Sequence, residues 1–148
     1  MRIERMTAEN CSEVAALDKI CFAVPWSEKS FCEEMSNPLA VYYIAAEEKI
    51  IGYCGFWKVC GEAQVTNIAV LPEYRKKGVA SQLIERLLSD CADMESVVLE
   101  VRESNEAAIR LYEKFGFKKA GVRKNFYHTP QENGIVMVRD MNNQQILH

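Results

Sequence analysis

The sequence predicts an α/β (α+β) fold: a mixed, mostly antiparallel central sheet of about seven strands flanked by about four helices, in a single domain spanning 1–148. Two observations carry this expectation. Three β-rich stretches follow one another between residues 40 and 71 with only tight reversals between them, the pattern of an antiparallel meander. An amphipathic helix then follows the third stretch, and another follows the short apolar run "SVVLEV". Helical crossovers join parallel strands, so the sheet is mixed and has helices on its faces.

Each element has its own signals. Ile3 to Met6 reads as a short strand. Thr7 is placed to cap "AENCSEVAALDKICF", where Cys11, Val14, Leu17 and Ile20 recur at helical spacing. Pro25 breaks that helix, and Ser27 caps a second one in "VPWSEKSFCEEM". "NPL" signals a turn. The meander runs through "AVYYIAAE", a reversal near Glu47–Lys49, "EKIIGYCGFWKV", a turn at Gly61 and "EAQVTNIAVL". A helix from Gly78 to Met94 carries Val79, Leu83, Leu87 and Cys91 on one stripe, with Glu85, Arg86, Ser89 and Asp90 elsewhere. "SVVLEV" is nearly continuous in apolar residues, which predicts burial on both faces. Asn105 is an N-cap for "EAAIRLYEKF" and Gly116 stands at its C′ position. "KKAGVRKNFY" and "GIVMVRDM" close the sheet.

Composition narrows the function classes. Hydrophobic residues make up 49% of the chain and charged residues 26%, an ordinary soluble globular mix. The net charge is −3, whereas a nucleic-acid binder is usually basic, so no direct nucleic-acid partner is expected. "MRIERMTAEN" lacks the apolar core of a signal peptide, and no run approaches the roughly 18 apolar residues of a membrane span. No membrane partner is expected. The six cysteines show no C-x-x-C spacing and there are only two histidines, so no metal is expected. The thiols read as reduced, mostly core or half-core, in a cytoplasmic protein.

Against this acidic background, "PEYRKKGVASQLIERLL" concentrates Arg75, Lys76 and Lys77 directly ahead of Gly78 and an apolar-periodic helix. The first N–H groups of a helix have no internal partner and lie at the positive end of its dipole. Cations and a glycine ahead of them make a nest for an anion, and small residues at Ala80 and Ser81 keep the approach open. A pyrophosphate fits such a site. Neither a Walker loop nor a Rossmann fingerprint is present. Taken alone, the run reads equally well as a solvated basic turn.

Two further residues stand out. Glu100 interrupts the apolar strand and shares a face with Val98, so burial would raise its pKa and suit it as a base. A strand-end Glu paired with a cation is the competing reading. Asn105 and Tyr112 are seven apart and lie on one helical stripe, with Ala108 and Ile109 between them. Tyr112 reads either as a core-packed phenol or as a proton donor, since a phenol keeps its proton at neutral pH.

The six residues R-K-K-G-V-A at 75–80 resemble the Q/R-x-x-G-x-G/A loop of the GCN5-related N-acetyltransferases (GNAT). "TNIAV" and "LPEYR" look like the strand and turn that precede that loop, and "LEVRESNEAAIRLYEKFGF" is similar to the family's second coenzyme A block. "FAVPWSEKSF" and "NFYHTPQENGIVMV" resemble the RimI-like subgroup, which acetylates alanine N-termini of ribosomal proteins. The resemblance covers nearly the whole chain.

It implies a GNAT fold and acetyl-CoA as co-substrate. The implied cofactor contacts are the backbone of Ile68, Ala69 and Val70, the loop Arg75, Lys76, Lys77, Gly78, Val79, Ala80 and Ser81, and Asn105. A backbone N–H near Val70 would serve as oxyanion donor. Glu100 falls where the subgroup has its general base, acting through water, and Tyr112 where it has its acid. Trp26 and Tyr127 are the implied peptide contacts, with Trp26 either a substrate wall or a core plug. His128 stands where the subgroup has Pro, and the hairpin tip differs as well. The expected reaction is acetylation of a protein α-amino group, an alanine on a small-subunit ribosomal protein. An α-amine has a reference pKa near 7.7–8.0, so a modest base suffices. A small amine or lysine acceptor, and a non-catalytic acyl-CoA-binding module, are the alternatives.

Overall fold

The computed structural model describes residues 1–142. In chain order its elements are β1 (Arg2–Arg5), a 3-10 turn at Ala8–Asn10, α1 (Cys11–Cys21), α2 (Glu28–Met35), β2 (Ala40–Ala46), β3 (Ile50–Val59) and β4 (Glu62–Val70). A second 3-10 turn at Pro72–Tyr74 leads to α3 (Val79–Asp90), β5 (Ser96–Arg102), α4 (Glu106–Lys114), β6 (Lys118–His128) and β7 (Gln131–Asp140). The seven strands form one sheet in the order β1-β2-β3-β4-β5-β7-β6. Only β4 and β5 pair in parallel among the described residues. This is the mixed, mostly antiparallel sheet with four helices that the sequence predicts.

Local chemistry sets most boundaries as expected. Ser27 Oγ accepts the Ser30 N–H at 3.1 Å and starts α2. Asn105 Oδ1 accepts from Ala108 N–H at 3.2 Å and starts α4. Gly116, with φ +91°, ends α4: its N–H donates to Glu113 O and the Phe117 N–H to Tyr112 O, the paired bonds of a Schellman motif. Cys60 and Gly61 both have positive φ, as a two-residue turn between β3 and β4 requires.

Three expectations need correction. The first helix begins at Cys11, because Ala8–Asn10 is a 3-10 turn in which Asn10 Oδ1 accepts from Thr7 N–H. The helix after Gly78 ends at Asp90 rather than Met94: Met94 N–H bonds Cys91 O in a tight turn that keeps Cys91 in the core and sends the chain into β5. β5 is buried on one face only. Val97, Leu99 and Val101 are in the core, whereas Val98, Glu100 and Arg102 are half-buried on the other side. The thiols are mostly core or half-core, as expected: Cys11, Cys54 and Cys91 are buried and Cys21 half-buried, whereas Cys32 and Cys60 are exposed; all six are free.

The sheet separates two cores. Val79, Leu83, Leu87 and Cys91 lie with Ile51, Phe56, Leu99 and Ile109 on the α3/α4 side. Val14, Leu17 and Phe31 of α1 and α2 pack on Tyr42, Ile44 and Tyr53 on the opposite side. Asp18, fully buried on α1, ties the second layer together: Oδ1 accepts from Tyr53 OH and Oδ2 from the Trp26 N–H at 2.8 Å.

Candidate active site

The parallel pair carries the feature that makes a site. β4 and β5 pair only through Glu62–Gln64 and Ser96–Val98, after which the strands separate toward their carboxyl ends. A register shift in the β3–β4 ladder leaves Thr66 as an extra residue on β4 just where the separation begins. The Leu71 N–H donates to Ile51 O, so antiparallel alternation commits the Ala69 backbone to Tyr53 and turns the backbones of Ile68 and Val70 into the gap. Of the three backbone contacts expected there, Ile68 and Val70 face the opening and Ala69 does not. Both crossover helices begin at this end of the sheet, where ligands of open α/β sheets bind.

The cation loop stands at the mouth of the gap. Arg75 Nε donates to Val70 O at 2.9 Å, and Cys21 Sγ lies 3.5 Å from the same oxygen. Lys76 has φ +64° and Gly78 φ +84°, and Lys77 Nζ lies over the Tyr74 ring. These left-handed residues aim successive N–H groups outward at the start of α3. A Cβ at Gly78 would meet nothing within 4 Å, so the space ahead of the helix is open. Val79 is buried, which leaves only its backbone for a ligand; Ala80 and Ser81 are half-buried. A diphosphate fits this cradle. Asn105 uses Oδ1 in capping, so its contact to a ligand would come from Nδ2.

Glu100, Tyr112 and Tyr127 come together from three elements. Glu100 projects from the half-buried face of β5 and lies 3.6 Å from Arg123 Nε. The apolar enclosure expected for it is absent, because Val98 beside it is also half-buried. Burial pushes the Tyr112 hydroxyl up to about 12, with Tyr127 and Cys54 acting in the same direction. Burial also raises Tyr127; the Arg102 cation opposes this, and Glu100 and Glu132 add to it.

Arg102 and Glu132 were not singled out from the sequence. The Arg102 guanidinium sits 4.4 Å over the Tyr127 ring, donates to Thr129 O and Pro130 O, both at 2.9 Å, and pairs with Glu132 at 3.2 Å. Glu132 also accepts from Ser104 N–H, which with Arg102 holds its carboxyl below the ordinary value. The β6–β7 turn is thereby fastened to the end of β5. The available signal was spacing: Arg102 is two residues from Glu100 and so shares its face.

On the other flank, Trp26 packs into the core as a plug. Its ring packs 5.5 Å from Phe31 and it also lines an open cavity. Among the described residues no group of side chains could hold a metal ion, and no helix is long and apolar enough to cross a membrane.

The acetyltransferase (GNAT) family model matches residues 9–117. The chain belongs to the GNAT family. It is an N-acetyltransferase, and its co-substrate is acetyl-CoA. The ribosomal protein bS18-alanine N-acetyltransferases of Salmonella typhimurium and Escherichia coli are 35% and 34% identical to it over 125 residues, covering 82% of this GNAT chain and 84% of theirs. A Bacillus subtilis protein to which the same activity is ascribed is 36% identical over 139 residues, covering 91% and 92%. The crystal structure of the Escherichia coli enzyme superposes with a TM-score of 0.87 at 30% identity, covering 95% of this chain and 93% of that one.

Proposed function

We propose that this acetyltransferase modifies the α-amino group of a protein N-terminus, an alanine on a small-subunit ribosomal protein, in the cytoplasm. The observation that carries the reading is the identity of 34–36% along most of the chain to relatives bearing that activity in their names. The geometry is compatible with it: α1, α2 and Trp26 cover one face of the sheet, and the β6–β7 hairpin with Tyr127 is fastened to the end of β5.

Acetyl-CoA supplies the activated acetyl thioester. Arg75–Ser81 hold its diphosphate at the start of α3, and the backbones of Ile68 and Val70 with Asn105 align the rest of it in the gap. The Val70 N–H is the donor to the carbonyl oxygen as charge develops there. Glu100 accepts the amine's proton through water, and Tyr112 donates one to the departing sulfur. Trp26 and Tyr127 bracket the peptide.

The deciding measurement is thiol release from acetyl-CoA with peptides starting Ala, Ser, Met or Gly, N-blocked peptides with an internal Lys, and free polyamines. Selective turnover of the Ala peptide is expected. Turnover of polyamines alone would discard the acceptor class while leaving the chemistry intact.

A further inference from the structure

A cavity of about 370 Å³ opens between α2 and the β2–β3 hairpin, lined by Trp26, Ser30, Glu33, Glu34, Asn37 and Trp57. We propose that it holds the cationic side chain, guanidinium or ammonium, of a basic residue in the acceptor polypeptide beyond the acetylated amine. The inference rests on the protein N-terminus reading above.

Its floor is an unusual carboxylate. Glu34 is only 8% exposed. Oε1 accepts from Tyr42 OH at 2.9 Å and Trp57 Nε1 at 2.8 Å, and Oε2 from Asn37 Nδ2 at 3.1 Å. All three donors are neutral. Among the described residues no Lys or Arg nitrogen lies within 4.0 Å of Glu34 or of neighbouring Glu33. Buried charges are ordinarily paired with an opposite charge. Here the opposite charge has a place to enter, because the carboxylate lies at an open cavity walled by two indoles. Indole walls attract a cation through the ring quadrupole, and they accept the flat guanidinium best.

The pocket is also connected to the reaction site. Tyr42 OH spends its proton on Glu34, so Thr66 Oγ1 donates to Tyr42 at 3.1 Å. Thr66 is the extra residue on β4 where β4 leaves β5. Two hydrogen bonds therefore separate the pocket floor from the edge of the gap, on the sheet face that carries α1 and α2. A peptide whose amine enters the gap from this face would pass the pocket.

The test uses the whole protein and Ala-starting hexapeptides in which a single Arg is scanned from position 2 to 6, each against its citrulline twin. Citrulline keeps the shape and loses the charge. At one position, citrulline is expected to raise KM about tenfold with kcat unchanged, the mark of lost ground-state binding. Glu34→Gln keeps the volume and the acceptor for Tyr42 and Trp57, and it is expected to abolish that discrimination. Glu33→Gln, on an exposed residue, gives a second variant safe for folding. The chain's two tryptophans both line the pocket, so their emission is a direct readout. An N-acetylated Arg peptide, which cannot be a substrate at its own N-terminus, should change that emission where its citrulline twin does not.

Failure of every N-terminal peptide as substrate would overturn the proposed function, while the blocked-peptide titration still reads the pocket. Acetylation with no Arg–citrulline difference at any position, or an emission that ignores the blocked Arg peptide, would overturn the pocket and leave the function standing. An emission change with free spermidine alone would likewise overturn the peptide assignment.

Discussion

Tyr112 and Glu100 both interact with Tyr127, but their environments set them apart. The Tyr112 phenol is pushed up to about 12, so the protonated form dominates at every pH below that. Its loss of a proton should therefore produce no alkaline fall in kcat between pH 7 and 10. Tyr112→Phe should lower kcat by roughly 10²–10⁴, and a near-wild-type rate would remove it from the acid role. Glu100 is half-buried beside Arg123 and takes its task from position. Glu100→Gln should lose most activity near pH 7 and regain part of it as pH rises past the amine's own pKa of about 8. A pH-independent loss would assign Glu100 to the ion pair alone.

Among the elements, α3 and the β6–β7 hairpin make the clearest separate demands. Gly78→Ala forces a Cβ onto a residue at φ +84° and into the open space ahead of α3. About 1–2 kcal/mol of backbone strain follows. Steady-state kinetics should show a higher KM for acetyl-CoA and little change in KM for peptide. Arg102→Ala frees the hairpin turn and should do the reverse, raising KM for peptide. The elements were legible where one residue's chemistry sets a boundary, as with Ser27, Asn105 and Gly116. They were less so where partners from distant strands decide. "SVVLEV" reads as two-sided because Val98 is apolar, yet its face meets Glu100, Arg102 and the hairpin rather than a helix layer. Arg102 and Glu34 escaped notice for the same reason, since each acquires meaning only from groups that the fold brings beside it.

Across the whole molecule, the two helical layers are held to one sheet by few polar contacts, and Asp18 is the most exacting of them. Asp18→Asn replaces an acceptor of the Trp26 N–H with a second donor or strips Tyr53 of its acceptor, at a cost of about 1–3 kcal/mol in denaturant titrations. Burial raises the Asp18 pKa. The folded protein then holds this proton more tightly than the unfolded chain does. The Asp18 contribution is complete below the ordinary carboxylate value and is lost as pH rises through the raised one. Comparing wild type with Asp18→Asn from pH 4 to 8 should reveal that slope in the wild type alone.

The separation of β4 from β5 also has a mechanical meaning. A sheet joined across its middle by only three register pairs is two half-sheets hinged at one end. Ile68 and Val70 face the open side of that hinge, where the proposed binding of acetyl-CoA would give their backbones partners. On that reading the co-substrate would act as a spacer that stiffens the fold, and release of spent coenzyme would loosen it again. Amide hydrogen exchange at Ile68 and Val70 should slow on loading while exchange in β2 stays unchanged, and the melting temperature should track acetyl-CoA concentration. Cells short of acetyl-CoA would then hold this enzyme in its softer form, so its lifetime and its activity would fall together.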